Sequence, residues 1–223
     1  MNVTEALRQR ISTRAFRSEP LSEKLVREIL DVARWSPSGG NLQPWKVVAV
    51  SGIERQNVID VVRTALATNP GGEQGERLMY PAELWEPYRT RRFQVGEEMY
   101  ELLGIGREDR KARFIRLAQN MEFFGAPVGL FFVIDERMGH GQWAHLGMFM
   151  QSVALVALER GVASCMQEYW ALGRGTLKVH FGLEANEMVY CGMALGYSDE
   201  TQPVNSLRST RAEVDEFATF HGW

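Results

Sequence analysis

Apolar positions along the chain switch repeatedly between helical and strand-like spacing. Val3–Gln9 reads as a short helix running into "RISTRAF". Ser22 is placed to cap a helix to about Arg34, with Leu25, Val26, Ile29, Leu30 and Ala33 on one face. Residues 45–50 read as a buried strand ending at "SG", and residues 54–67 as another helix. The proline and glycines of "TNPGGEQGE", residues 68–76, predict a loop. Residues 83–122 read as two helical parts broken near "LGIGRED"; they are rich in Tyr, Trp and Arg and are expected to lie over a site. "PVGLFFVID", residues 127–135, predicts a strand buried on both faces. Residues 142–159 are apolar nearly all round, which places that helix centrally or in a subunit interface. "GVASCMQ" and "MVYCGMALGY" supply two further strands, and the 26 residues after Tyr197 are polar and extended. Helices outnumber strands and the strand spacing is irregular, which predicts an α+β layered fold rather than a regular βαβ series.

Composition narrows the function classes. A chain of 223 residues suits one domain, residues 1–223. Apolar content of 45% and charged content of 24% exclude disordered and fibrous classes. A net charge of −3 leaves no footprint for nucleic acid or an anionic membrane. The longest apolar runs, "PVGLFFVI" and "LGMFMQSVALVAL", fall short of the roughly 20 residues that span a bilayer. "MNVTEALRQR" has no apolar signal core, so a cytoplasmic location is expected. Cys165 and Cys191 have no metal or C-x-x-C spacing and are expected to be buried thiols.

Three segments carry candidate chemistry. In "RQRISTRAF", Arg8, Arg10, Arg14 and Arg17 cluster, and an extended chain points Arg10, Ser12 and Arg14 to one side. Two guanidiniums and a hydroxyl suit a phosphate. The same residues also suit the solvated basic end of a helix, favoured by its dipole. In "RWSPSGGNLQPWKVVAV", Pro37 ends a helix and Gly39–Gly40 allow close backbone approach. Ser38, Asn41 and Gln43 there offer donors and acceptors suited to a heteroaromatic edge or a polyol, although a plain connector uses the same turn residues. Arg208 and Arg211 recur in the polar tail, where surface charge is the simpler reading. His140 and His145 miss the helical spacing for shared metal ligation, His180 and His221 have no ligand-type companions in sequence, and G-x-S-x-G is absent. No metal and no catalytic nucleophile is therefore expected.

Taken together, the segments resemble the FMN-dependent nitroreductase family. Its R-x-S-x-R/K matches Arg10-Ile11-Ser12-Thr13-Arg14, and its S-P-S-x-x-N-x-Q-P-W matches residues 36–45. Its small-Ala-Pro strand start matches Gly125-Ala126-Pro127, and its G-x-x-x-G-Y with a following basic residue matches residues 192–197 and Arg211. The 84–110 insert and "NMEFFGAP" look most like the nitroarene and nitrobenzoate reductase branch.

The resemblance implies a central mixed β-sheet flanked by helices, in a homodimer with shared sites and a C-terminal extension exchanged between subunits. It further implies that Arg10, Arg14, Arg208 and Arg211 hold the FMN phosphate and Ser12 the ribityl–phosphate region. Pro37, Ser38, Gly39 and Asn41 would approach the same flavin from the other subunit; Asn120, Gln167, Glu168 and Tyr169 would run beside its ring. Met166 stands where the family often has proline, and Tyr169-Trp170 are bulkier than the usual residues. Tyr88, Phe93, Phe123 and Phe124 are the expected substrate pocket. The implied activity is ping-pong hydride transfer from NAD(P)H to nitroaromatics, giving nitroso and hydroxylamine products. Reductive dehalogenation of halogenated phenols or tyrosines, flavin destruction, and a flavin-binding module without turnover are the alternatives.

Overall fold

The computed structural model describes residues 1–73 and 79–223. Residues 74–76 of the expected 68–76 loop therefore lie outside the described residues. Eight α-helices and four β-strands are present among them: α1 Val3–Gln9, α2 Glu23–Ala33, β1 Lys46–Ser51, α3 Gly52–Thr68, α4 Tyr88–Leu102, α5 Arg110–Ala118, β2 Val128–Asp135, α6 His140–Glu159, β3 Ala163–Gln167, α7 Arg174–His180, β4 Glu187–Gly196 and α8 Val214–Phe217. Ser22 caps α2, its Oγ accepting the Leu25 N–H at 3.2 Å. α4 and α5 meet the expected break between them, whereas α7 and α8 lie in segments that carry no clear period.

The sheet runs β1-β2-β4-β3, and every adjacent pair is antiparallel. This corrects the mixed sheet that the resemblance implies. β2, α6 and β3 do form a crossover between strands of the same direction, but β4 inserts between them and opposes both. One face of the sheet packs on α2 and α6, through Ile29, Phe132, Leu146, Phe149, Val153 and Met193. The other packs on α3, α7 and the turn at Gln119–Gly125, through Val58, Val62, Phe131, Trp170 and Leu177. α6 lies against the sheet through Leu146, Phe149, Val153 and Ala157, while Met148 on its other side is 47% exposed.

Two glycines let aromatic rings lie directly on the strands. A Cβ at Gly129 would overlap the Phe123 ring, and one at Gly192 would overlap Trp170. Phe123 and Trp170 then meet with centroids 4.5 Å apart. Gly196, the second glycine of the 192–197 motif, makes room for Pro127 and Phe16 in the same way. Both cysteines are free and buried, and burial pushes the Cys191 thiol up to about 12. No helix among the described residues is long and apolar enough to cross a membrane.

Candidate active site

The extended segment after α1 is held flat on the edge of the sheet. Thr13, 1% exposed, donates its backbone N–H to the Ser164 carbonyl of β3 at 3.0 Å. With Thr13 turned inward, its neighbours Arg10, Ser12 and Arg14 border one cavity of about 380 Å³, together with Arg8, Arg208 and Arg211. Arg17 leaves the group and pairs with Glu19 at 3.5 Å.

The guanidiniums of this cavity have no carboxylate partner among the described residues. Arg14 Nη1 donates to the Ser12 carbonyl at 3.3 Å, Arg208 Nη1 to the Asn205 carbonyl at 3.0 Å, and Arg211 Nη1 to the Ser209 carbonyl at 2.9 Å. Burial, then the charge of Arg211, pulls the Arg10 guanidinium below its usual value. Converging cations that meet only neutral oxygens among the described residues form a site for a multiply charged oxyanion. A flavin phosphate fits that demand.

Arg14 also borders a second, larger cavity of about 640 Å³. Its walls include Phe124, Met150 and Met166, and its polar edge Asn120, Gln167, Glu168 and Tyr169. The buried Gln167 amide donates to the Asn120 carbonyl at 2.8 Å, bracing the end of β3 against the Gln119–Gly125 turn. Burial pushes the Glu168 carboxyl and the Tyr169 phenol upward. An apolar slot edged by amides and continuous through Arg14 with a phosphate site suits a flavin ring.

The aromatic residues separate. Phe123 and Phe124 both adopt φ of 52°, in the left-handed region. The chain reverses there, so Phe124 lines the cavity while Phe123, 0% exposed, enters the core over Gly129. Phe123 is therefore not a pocket residue. Tyr88 and Phe93 lie half exposed outside the cavity lining, Phe93 beneath Arg107; from residues 88–93 only Arg92 lines the cavity.

Pro37, Ser38, Gly39 and Asn41 border neither cavity. Their loop is tied to α6 instead. Ser36 Oγ meets Ser152 Oγ at 2.7 Å, the Gly39 N–H reaches His145 Nδ1 at 3.3 Å, and Trp45 stacks on Phe149 at 4.7 Å. Gly40, Asn41 and Gln43 all have positive φ, which leaves the Asn41 and Gln43 side chains exposed. That surface faces outward, away from both cavities.

Sequence reasoning missed Arg116 and Asn205. Arg116 lines the larger cavity, donates to the Arg14 carbonyl at 2.9 Å and to Gln119 Oε1, and leaves its buried Nε without a partner. Burial, then Arg14, lowers its pKa. Asn205 is 6% exposed, and its partners include the distant backbone of Arg14 and Ala15. Neither has a local sequence signal. His180 gains a companion that sequence separation hid, its Nε2 lying 2.7 Å from Glu54 Oε1. No cluster of metal-ligating residues occurs among the described residues.

Comparison with known proteins agrees with this reading. The chain is 33% identical over 218 residues to a nitrobenzene nitroreductase from Ectopseudomonas oleovorans, covering 98% of this chain and 96% of the relative. It is 36% identical over 214 residues to a 4-nitrobenzoate reductase from Pseudomonas putida, covering 96% and 93%. The structure of the FMN and NADPH-dependent nitroreductase NfnB from Sphigopyxis sp. strain HMH superposes with a TM-score of 0.96 at 40% identity, over 100% of both chains. The model of the Nitroreductase family matches residues 7–197, and the chain belongs to that family.

Proposed function

We propose that this chain is an FMN-dependent NAD(P)H nitroreductase acting on electron-poor nitroaromatics. One observation carries the reading: arginines without acid partners converge on a cavity that Arg14 joins to an amide-edged apolar slot. Arg10, Arg14, Arg208 and Arg211 would hold the phosphate, Ser12 the ribityl–phosphate junction, and Asn120 with residues 167–169 the ring. FMN held there would supply the two-electron redox chemistry between NAD(P)H and the nitro compound.

The protein's part is position and field. Phe124, Met150 and Met166 exclude water from the slot. Arg14 and Arg116 place positive charge beside it, where negative charge that develops on reduction is stabilised. No side chain acts as nucleophile. One slot receives donor and acceptor in turn, and initial-rate plots are expected to be parallel.

The site would be completed by a second copy. The loop at Pro37, Ser38, Gly39 and Asn41 faces away from its own cavities, and the C-terminal extension would reach the partner. The two buried free thiols suit a reduced, cytoplasmic setting. No feature of the cavity selects halogenated phenols.

Anaerobic stopped-flow spectroscopy tests the reading. NADPH should bleach the bound flavin and nitrobenzene should restore its colour. Colourless protein that takes up no added FMN, or bleached protein that no nitroarene reoxidises, would exclude it.

A further inference from the structure

The arginines at the start of α4 are not equivalent. Arg89 Nε donates to Glu86 at 2.7 Å, and Arg91 Nη2 lies 3.1 Å from Glu216. Arg92 pairs with no carboxylate among the described residues and lines the larger cavity. Its guanidinium carbon stands 4.2 Å from the centre of the Tyr80 ring, which lines the same cavity. A guanidinium stacked on an aromatic face keeps its edge donors free and loses much of its freedom to swing away.

The other cations of the cavity are already engaged. Arg14 and Arg116 donate to backbone carbonyls, and Arg14 belongs also to the phosphate cavity. Glu168 is the one carboxylate among the described lining residues, and burial disfavours its ionised form. Nothing among the described lining residues neutralises Arg92.

Resting on the nitroreductase reading, we propose that Arg92, steadied by Tyr80, recognises an oxyanion carried by the ligand in this cavity. The guanidinium fork matches the planar carboxylate of a nitroarene acid and also the phosphates of the dinucleotide donor. In both cases Arg92 sets specificity while the reaction proceeds elsewhere on the ligand.

Two pairs of probes separate these sources. Benzoate and benzamide are titrated against FMN-loaded wild type, R92A, R92K and R92E, without turnover. The kcat/KM ratio of NADPH to reduced nicotinamide riboside, which lacks phosphate, is measured in parallel. If the arene is the source, R92A weakens benzoate relative to benzamide by about five- to tenfold, the scale of a partly exposed charged contact. R92K should recover part of that loss, and R92E should deepen it. A loss confined to the NADPH ratio assigns the oxyanion to the donor and leaves Arg92 as its reader. Ratios that stay within about twofold of wild type in R92A and R92E overturn the proposal. Failure of the wild type to reduce any nitroarene would strike the functional reading instead, because the benzoate titration still decides the role of Arg92.

Discussion

The Oδ1 atom of Asn205 accepts the backbone N–H of Arg14 at 2.8 Å. The same side-chain amide donates through Nδ2 to the carbonyls of Ala15 at 2.8 Å and Asp199 at 2.9 Å, and the main-chain carbonyl of Asn205 accepts from Arg208 at 3.0 Å. One buried side chain therefore ties the Arg14 segment of the phosphate cavity to the loop after β4, while the main chain of the same residue meets Arg208. Asn205→Ala should leave the Arg14 N–H and the Ala15 and Asp199 carbonyls unmatched, at a cost of about 1–3 kcal/mol. Thermal melts with and without FMN should show lower stability and a smaller gain on adding the cofactor. A variant that melts and binds FMN like wild type would show that the tail needs no such clasp.

The arginine cavity predicts a graded loss of cofactor. A charge-assisted contact contributes roughly 1.5–3 kcal/mol, so Arg14→Ala should weaken FMN more than tenfold by fluorescence titration. Arg211→Ala removes one cation and also relieves the repulsion felt by Arg10. Its loss should be smaller. Equal losses would mean that the arginines share the phosphate more evenly than their burial suggests.

Phe123 and Phe124 should respond oppositely to truncation. Phe123→Ala empties a core position between Gly129 and Trp170, and such losses run to about 3–5 kcal/mol. Phe124→Ala alters a cavity wall and should shift KM among nitroarenes by several-fold, on the order of a 0.5–1.5 kcal/mol aromatic contact. Chemical denaturation and a substrate panel read the two effects. A core-like stability loss in the Phe124 variant, or a KM shift without one in the Phe123 variant, would reverse the assignment.

Acid sensitivity should appear at the strand ends. Lys46 of β1 reaches past β2 to Glu187 of β4, with Nζ–O distances of 3.0 and 2.9 Å. That contact lowers the Glu187 pKa. A carboxyl lowered in the folded state adds stability above its unfolded pKa, and the gain vanishes as pH falls through the folded value. Lys46→Ala should therefore be less stable than wild type at pH 7, by under about 1 kcal/mol. The difference should close as pH falls below about 4. Urea midpoints at several pH values check it, and a difference that persists at the acid end would point to lost packing instead.

Local period and local chemistry made much of this molecule readable. The Ser22 cap, the continuous apolar run of β2 and the alternation of Arg10, Ser12 and Arg14 each depend on neighbours a few residues away. Asn205 was not readable, because its meaning lies in a backbone N–H 191 residues distant. The opposite fates of Phe123 and Phe124 depend on two left-handed residues and on the space above Gly129, neither of which shows in a hydropathy pattern. Strand direction fails for a similar reason. Period marks β4 as a strand but does not say that it enters between β2 and β3.

That late entry bears on how the molecule is made. A ribosome-bound chain that has emerged only as far as Gln167 holds β2 and β3 with a strand-wide gap between them, since β4 begins at Glu187. Both strands then present open hydrogen-bonding edges and apolar faces, the features that invite mispairing with other chains. Sheet closure waits for β4, the last strand in chain order among the described residues.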